Sequence, residues 1–362
     1  MCVNGRDGEQ RRVAAVVYNP VRVDVPRVRA AVEAAATLHR YDLLWLETTP
    51  EEPGQAQVGE ALAQGASLVL AAGGDGTVRA VAEALRGRDA TLGIIPGGTG
   101  NLLARNLGIP FASVEASCAV AFDGESRRMD MGVATAHRPD GSTTEHAFLV
   151  MAGVGIDAAM IANARPELKR RFGWLAYVDA AFRSLPTASK VPVRYRLDNG
   201  PERSAHVSTI LVANCGALPG NMELIPDGEL DDGLLDVAVV QPATVFGWLA
   251  IWRKVTWENR VLRRSSVGRR IIRFTDRAIR TRLSYLRGAS VELAVDAPEP
   301  FELDGDAFGD VLRLELRVDE LALRVKAPAA TAGVTAPGRR PPHRRPAPGA
   351  RRARSETPAP PV

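Results

Sequence analysis

The sequence predicts an α/β fold in two domains: an N-terminal domain built on a parallel sheet, then a C-terminal β-sandwich. Three observations lead there. Apolar runs alternate with stretches of helical spacing over residues 11–110, the rhythm of strand–helix–strand crossovers. Two glycine-rich turns, Gly73-Gly74-Asp75-Gly76-Thr77 and Pro96-Gly97-Gly98-Thr99-Gly100-Asn101, each follow an apolar run and precede a helical pattern. From about Met129 the pattern changes to short alternating segments that read as antiparallel strands. A chain of 362 residues is long enough to bury two cores.

The elements follow in order. Residues 13–18 make a first parallel strand ending at Asn19-Pro20, and residues 26–41 have helical spacing. Residues 42–47 make a second strand ending at Thr48-Thr49, and a helix over 55–64 leads to the strand 67–72 before the first glycine turn. The strand 91–95 precedes the second turn. Ligands of parallel sheets bind outside the carboxyl ends of the strands. Asn19, Thr49, residues 73–77 and residues 97–99 therefore converge on one edge. Glycine lets backbone N–H groups approach an anion, and a following helix N-terminus adds a favourable dipole, so this edge suits phosphate.

In the second half, residues 147–150, 192–197, 208–214, 234–240, 270–274, 290–295 and 312–318 read as strands, with helical insertions near 173–185 and 244–254. The domains are expected at 11–133 and 134–326, with the last strand free to return to the first domain. Residues 327–362 form a tail. Its segment 338–354 carries Arg339, Arg340, Arg344, Arg345, Arg351, Arg352 and Arg354 between prolines with no acid, a composition that cannot fold. Such a tail is either solvated or in weak contact with anionic lipid or another polyanion. The net charge is only +4 and the body lacks a basic stripe with interleaved aromatics, so no nucleic-acid partner is expected.

Composition closes off other classes. Cys2, Cys118 and Cys215 lie far apart, which excludes a disulfide framework or a Cys zinc site and suits a reducing cytosol. No secretory leader is evident, and no apolar run is long and uninterrupted enough to span a bilayer, so a soluble protein with peripheral membrane contact is expected. The five histidines form no cluster, and GxxxxGK[ST], Gly-x-Ser-x-Gly and His-Glu-x-x-His are all missing.

Three acidic features remain. Asp75 sits inside the first glycine turn, where a carboxylate either meets a cation bridging to phosphate or holds local backbone N–H groups. Residues 226–236 hold Asp227, Glu229, Asp231, Asp232 and Asp236 with two glycines, an oxygen-rich loop for a hard cation or an acidic turn before a strand. Asp304-Gly305-Asp306 follows an apolar strand. Alternation would face both carboxylates the same way, fit to deprotonate a hydroxyl and engage a metal; an Asp-Gly hairpin turn fits the same residues.

At these residues the chain resembles the diacylglycerol kinase catalytic-domain family, and most closely its bacterial lipid kinase branch. The resemblance rests on Asn19-Pro20, residues 73–77, residues 96–101 running into Leu102-Leu103-Ala104-Arg105, the 153–158 segment Gly-Val-Gly-Ile-Asp-Ala, residues 226–236, and Asp304-Gly305-Asp306, in the family's order across residues 11–326. It implies an N-terminal domain like that of NAD kinases and phosphofructokinases and a β-sandwich carrying the acceptor site. By the same resemblance, ATP lies along Asn19, Pro20, Val21, Arg22, Val23, Thr49, Gly73, Gly74, Asp75, Gly76, Thr77, Val78, Arg79 and Thr99. A structural Mg²⁺ is held by Asp232 and the backbone carbonyls of Glu229 and Leu234, with Asp232 joined to Asp75 through water and Mg²⁺. Asp304 is the general base toward the lipid hydroxyl, and Asp306 supports it.

Three residues depart from the family pattern. Asp306 stands where Glu is usual, Val21-Arg22-Val23 where a small residue and then glycine are usual, and Arg79 where Asn is usual. The implied reaction is in-line phosphoryl transfer from MgATP to diacylglycerol at the inner face of the membrane. A sphingoid-base or ceramide-type kinase, an NAD kinase and a silent lipid-binding module stay open as alternatives, as does the oligomeric state, a homodimer included. The stretch 246–254, apolar and aromatic and ending in Arg253-Lys254, suits either a membrane interface or a helix packed on the sandwich.

Overall fold

A computed structural model describes residues 11–155, 190–215, 217–218, 222–223, 230–240 and 283–329. The expected helical insertions near 173–185 and 244–254, the strand at 270–274, the apolar stretch 246–254 and the basic tail lie outside them. The first half runs β1 (Arg12–Tyr18), α1 (Val25–His39), β2 (Tyr41–Glu47), α2 (Gln55–Ala63), β3 (Ala66–Gly73), α3 (Asp75–Leu85), β4 (Thr91–Pro96), α4 (Leu102–Asn106) and α5 (Val114–Asp123). The second half is β: β5 (Glu125–His137), β6 (Thr143–Phe148), β7 (Met151–Gly155), β8 (Val191–Leu197), β9 (Arg203–Val207), β10 (Thr209–Ala213), the short pair β11 (Ala217–Leu218) and β12 (Met222–Glu223), β13 (Leu235–Val240), β14 (Leu283–Gly288), β15 (Ser290–Leu303) and β16 (Asp306–Ala327).

The parallel sheet has the order β2-β1-β3-β4. Helices cover both faces, so its strands alternate between two cores. Ala14 and Val16 pack toward α1 and α5, Ala15 and Val17 toward α2 and α3. Local chemistry sets the helix ends. Asp24 caps α1 by accepting from the Arg27 N–H at 3.2 Å, Pro26 occupies its first turn, and Arg40 closes it in the left-handed region at φ 55°. In α3 the apolar positions Val78, Val81, Ala82 and Leu85 face the sheet.

The antiparallel part packs its own core around Phe148, Phe301, Leu303, Ile210 and Val237. β16 joins the two halves: it pairs with β15 and β5 and reaches β4 in parallel at Val325–Leu92. The long strands β5 and β16 make one continuous sheet through both halves. One expected strand is broken. Residues 147–150 do not form a single strand, because the chain leaves β6 at Phe148 and starts β7 at Met151. The N–H groups of Leu149, Val150 and Met151 turn inward instead, onto the carboxylate of Asp304. No helix among the described residues is long and apolar enough to cross a membrane.

Candidate active site

The site forms where the carboxyl edge of the parallel sheet meets the β15–β16 hairpin. The two glycine turns lock together. The Gly97 N–H donates to Gly73 O at 2.8 Å, and a Cβ on Gly98 would stand 2.9 Å from Gly74 Cα, so only glycine permits this approach. Asn101 closes the second turn on itself: its Oδ1 accepts from the Gly98 N–H and its Nδ2 donates to Gly98 O. Thr77 is buried against Gly73, while Thr99 stays exposed at the tip of the second turn.

Asp75 supplies the strut between the turns. Its Oδ2 accepts from the Asn101 N–H at 2.9 Å and its Oδ1 from the Leu102 N–H at 2.5 Å. Burial pushes its pKa up to about 6; the Leu102 N–H works against this, Asp304 adds to it, the Asn101 N–H opposes it, and Asp306 adds again. Asp75 thus spends its carboxylate on backbone N–H groups, the local role that turn aspartates often take.

The segment after β1 needs no glycine. Asn19 O accepts from the Arg22 and Val23 N–H groups at 3.0 and 3.2 Å, and Asn19 Oδ1 accepts from the Val21 N–H. None of residues 20–23 takes a positive φ, so Val21 and Arg22 stand there without strain. Val21 is exposed beside Pro20, and Thr49 Oγ1 accepts from the Glu52 N–H at the end of β2.

Asp304 and Gly305 form the two-residue loop of the β15–β16 hairpin, with φ 51° and 85°. Both central residues are left-handed, as a type I′ turn requires and Asp-Gly favours. The turn also overrides strand alternation, so the two carboxylates do not face the same way. Asp304 is 5% exposed and its carboxylate points inward: Oδ2 accepts from the Leu149 N–H at 2.9 Å, Oδ1 from Val150 and Met151 at 2.8 and 3.0 Å. Burial raises its pKa, against the pull of the Arg79 cation and the three N–H donors. Asp306 remains outside. Its Oδ2 lies 3.0 Å from where a Cβ on Gly76 would stand and 3.4 Å from Arg79 Nη2. The Arg79 guanidinium stacks 4.5 Å from the centre of the Phe308 ring.

The acidic loop is wired differently from the expectation. Asp232 Oδ2 pairs with Arg287 Nη2 at 3.0 Å, and its Oδ1 accepts from the Leu234 N–H at 3.0 Å. The charges acting on Asp232 are those of Arg287, Asp236 and Asp130, whereas those acting on Asp75 are Asp304 and Asp306. Asp232 and Asp75 thus sit in two separate clusters of direct contacts. Glu229 lies outside the described residues. Among those described, no three His, Cys, Asp or Glu side chains gather to hold a metal. Arg287 pairs with Asp232 where the resemblance implies a cation, and Glu229, one of the three implied donors, lies outside the described residues, so no chemical step is derived through a resident Mg²⁺.

Sequence reasoning missed Asp130. It is buried in β5, accepting from the Leu321 N–H at 2.6 Å and the Gly233 N–H at 2.7 Å, while its own N–H donates to Leu230 O. It ties the acidic loop to Leu321, whose φ of 52° marks the irregular stretch where β16 passes between the halves. An aspartate between Met129 and Met131 in an apolar strand was the available signal. Phe308 was missed too, and offered no signal beyond alternation.

Known proteins match this layout. The diacylglycerol kinase catalytic domain family matches residues 13–134, and the YegS C-terminal NAD kinase beta sandwich-like domain matches residues 149–326. A Pseudomonas savastanoi protein described as "Probable lipid kinase YegS-like" is 33% identical over 287 residues, covering 77% of this chain and 82% of its own. The chain belongs to the diacylglycerol kinase family. A diacylglycerol kinase of Mycobacterium tuberculosis is 29% identical over 225 residues, 62% of this chain and 71% of that protein. A Bacillus anthracis diacylglycerol kinase structure shares the fold at 19% identity, with a TM-score of 0.60 over 88% of this chain and 97% of its own. As a member of this lipid kinase family the chain is a phosphotransferase, and a kinase family implies ATP as co-substrate.

Proposed function

We propose that the chain transfers the γ-phosphoryl group of MgATP to the hydroxyl of diacylglycerol, giving phosphatidic acid, at a membrane surface. The observation that carries the reading is Asp304: a buried carboxylate of raised basicity, fixed by three N–H donors beside the glycine turns. Its Oδ1 takes two of those donors and its Oδ2 only one, so Oδ2 keeps the freer lone pair. That oxygen accepts the proton of the lipid hydroxyl as the hydroxyl oxygen bonds to the γ-phosphorus. The bond from phosphorus to the β,γ-bridging oxygen breaks, and ADP leaves. Backbone N–H groups of the glycine turns and the N-terminal end of α3 offset the phosphate charge, and Mg²⁺ arrives as part of the substrate.

The test is a panel of diacylglycerol, monoacylglycerol, sphingosine and ceramide in mixed micelles with labelled MgATP. Diacylglycerol is expected to be phosphorylated fastest. A preference for sphingosine or ceramide would overturn the acceptor, and phosphorylation of NAD with none of the lipids would overturn the reaction.

A further inference from the structure

Arg79 carries a buried donor that no described residue accepts. Its side chain is 11% exposed, its Nε is buried without an acceptor among the described residues, and its one ion pair, to Asp306, is 3.4 Å long. Charge-assisted contacts of this kind normally close to about 2.7–2.9 Å. A guanidinium offers five donors in a rigid fork, and a buried donor left unmade is costly. The side chain is nonetheless held firmly in place. Asp306 and Phe308 project from the same face of β16, two residues apart, one meeting the edge of the guanidinium and the other its flat face.

The location completes the argument. Arg79 stands one helical turn beyond Asp75, the first residue of α3, so it overhangs the helix end that the glycine turn opens toward a phosphate. Asp306 lies across Gly76 between that helix end and the guanidinium. The dianionic terminal phosphate of ATP competes well for a planar fork whose contact with Asp306 is 3.4 Å long and whose charge otherwise acts on the buried Asp304.

Resting on the phosphoryl-transfer reading above, we propose that Arg79 clasps the γ-phosphoryl group of bound MgATP, exchanging its loose contact with Asp306 for bidentate contact with phosphate oxygens. Asp306 is then the placeholder that keeps the guanidinium aimed before nucleotide binds. Arg79 carries no proton in the reaction; it offsets charge on the transferring group and makes the site prefer a triphosphate to a diphosphate.

The experiment compares the affinities of MgADP and of the magnesium complex of a non-hydrolysable ATP analogue by calorimetry, alongside turnover. Arg79→Met is expected to bind MgADP within twofold of the parent, to bind the triphosphate analogue about 10- to 100-fold more weakly, and to lose about 100-fold in kcat. Arg79→Lys keeps the charge without the fork and falls between the two. Asp306→Asn frees the guanidinium and keeps or strengthens the triphosphate preference. Equal loss of both nucleotides in Arg79→Met, or no loss of either, overturns the proposal. So does an Asp306→Asn variant that loses the triphosphate preference as Arg79→Met does, since Arg79 would then serve only to hold Asp306. The nucleotide ratio needs no lipid, so it decides the role of Arg79 even where the acceptor panel fails.

Discussion

The glycine-turn edge of the parallel sheet and the Asp304-Gly305 hairpin of the sandwich meet at one site and are built in opposite ways. At the glycine edge side chains are missing: backbone approaches backbone at Gly74 and Gly98, and the one carboxylate present, Asp75, is consumed in tying two turns together. At the hairpin the backbone serves the side chain. Residues 149–151 break a strand to bring three N–H groups to Asp304. Two aspartates with raised pKa values thus differ in kind. Asp75 fastens two turns together, and Asp304 is the carboxylate proposed as the base.

The largest test of that contrast is Asp304→Asn. We expect kcat for lipid phosphorylation to fall by about 10³-fold, near the middle of the range for a lost general base, with MgADP affinity within twofold of the parent. The amide can still accept from Val150 and Met151, but its NH₂ faces the Leu149 N–H, so stability also falls by about 1–3 kcal/mol. Retained turnover in a folded variant would remove Asp304 from the chemistry. A smaller effect should follow Gly100→Ala, whose Cβ would sit 2.5 Å from Asp75 Oδ2. Forcing the strut aside is expected to cost about 1–3 kcal/mol in urea unfolding and to weaken nucleotide binding while leaving kcat at saturation near normal. Gly305→Ala is its counterpart at the hairpin: φ is 85° but nothing stands within 4 Å of the new Cβ. It should cost about 1–2 kcal/mol of backbone strain and leave MgADP affinity unchanged. Equal nucleotide losses in both variants would erase the distinction between the two regions.

How much of this was legible in the sequence depends on how far apart the partners lie. The parallel strands, their helices and both glycine turns are local patterns, and β1 to β4 form within a residue or two of the expected positions. Asp304-Gly305 was legible as a hairpin and as a candidate base, and it is in fact the loop of a hairpin. The inward turn of its carboxylate was not legible, because the donors at residues 149–151 lie about 150 positions earlier. The same holds for Arg287 against Asp232 and for Asp130 against Leu321. Strand alternation misled at Asp304 and Asp306, since a type I′ turn between them cancels the period of two. Asp75 was legible as a residue of the first glycine turn; its partners, Asn101 at the end of the second turn and Leu102 just after it, were not.

The smallest and most specific test concerns the charge of Asp75. Its carboxyl titrates at about 6 in the fold, above the ordinary 3.8, so between those values the folded chain keeps a proton that the unfolded chain has released. This contribution to stability is complete below pH 4, declines as pH rises toward 6 and is gone above it. Asp75→Asn removes the titration. It also leaves one amide oxygen for two N–H donors, so the variant should be less stable overall. The informative quantity is the difference in unfolding free energy between parent and variant, followed from pH 4 to pH 7. We expect the parent's advantage to shrink by about 1 kcal/mol across that window, a figure discounted for the partial exposure of the group. A difference independent of pH would mean that the two backbone N–H donors outweigh burial and keep Asp75 ionised throughout. An advantage that grows with pH would mean that Asp75 is stabilised as an anion, and the contrast with Asp304 would have to be redrawn in terms of position alone.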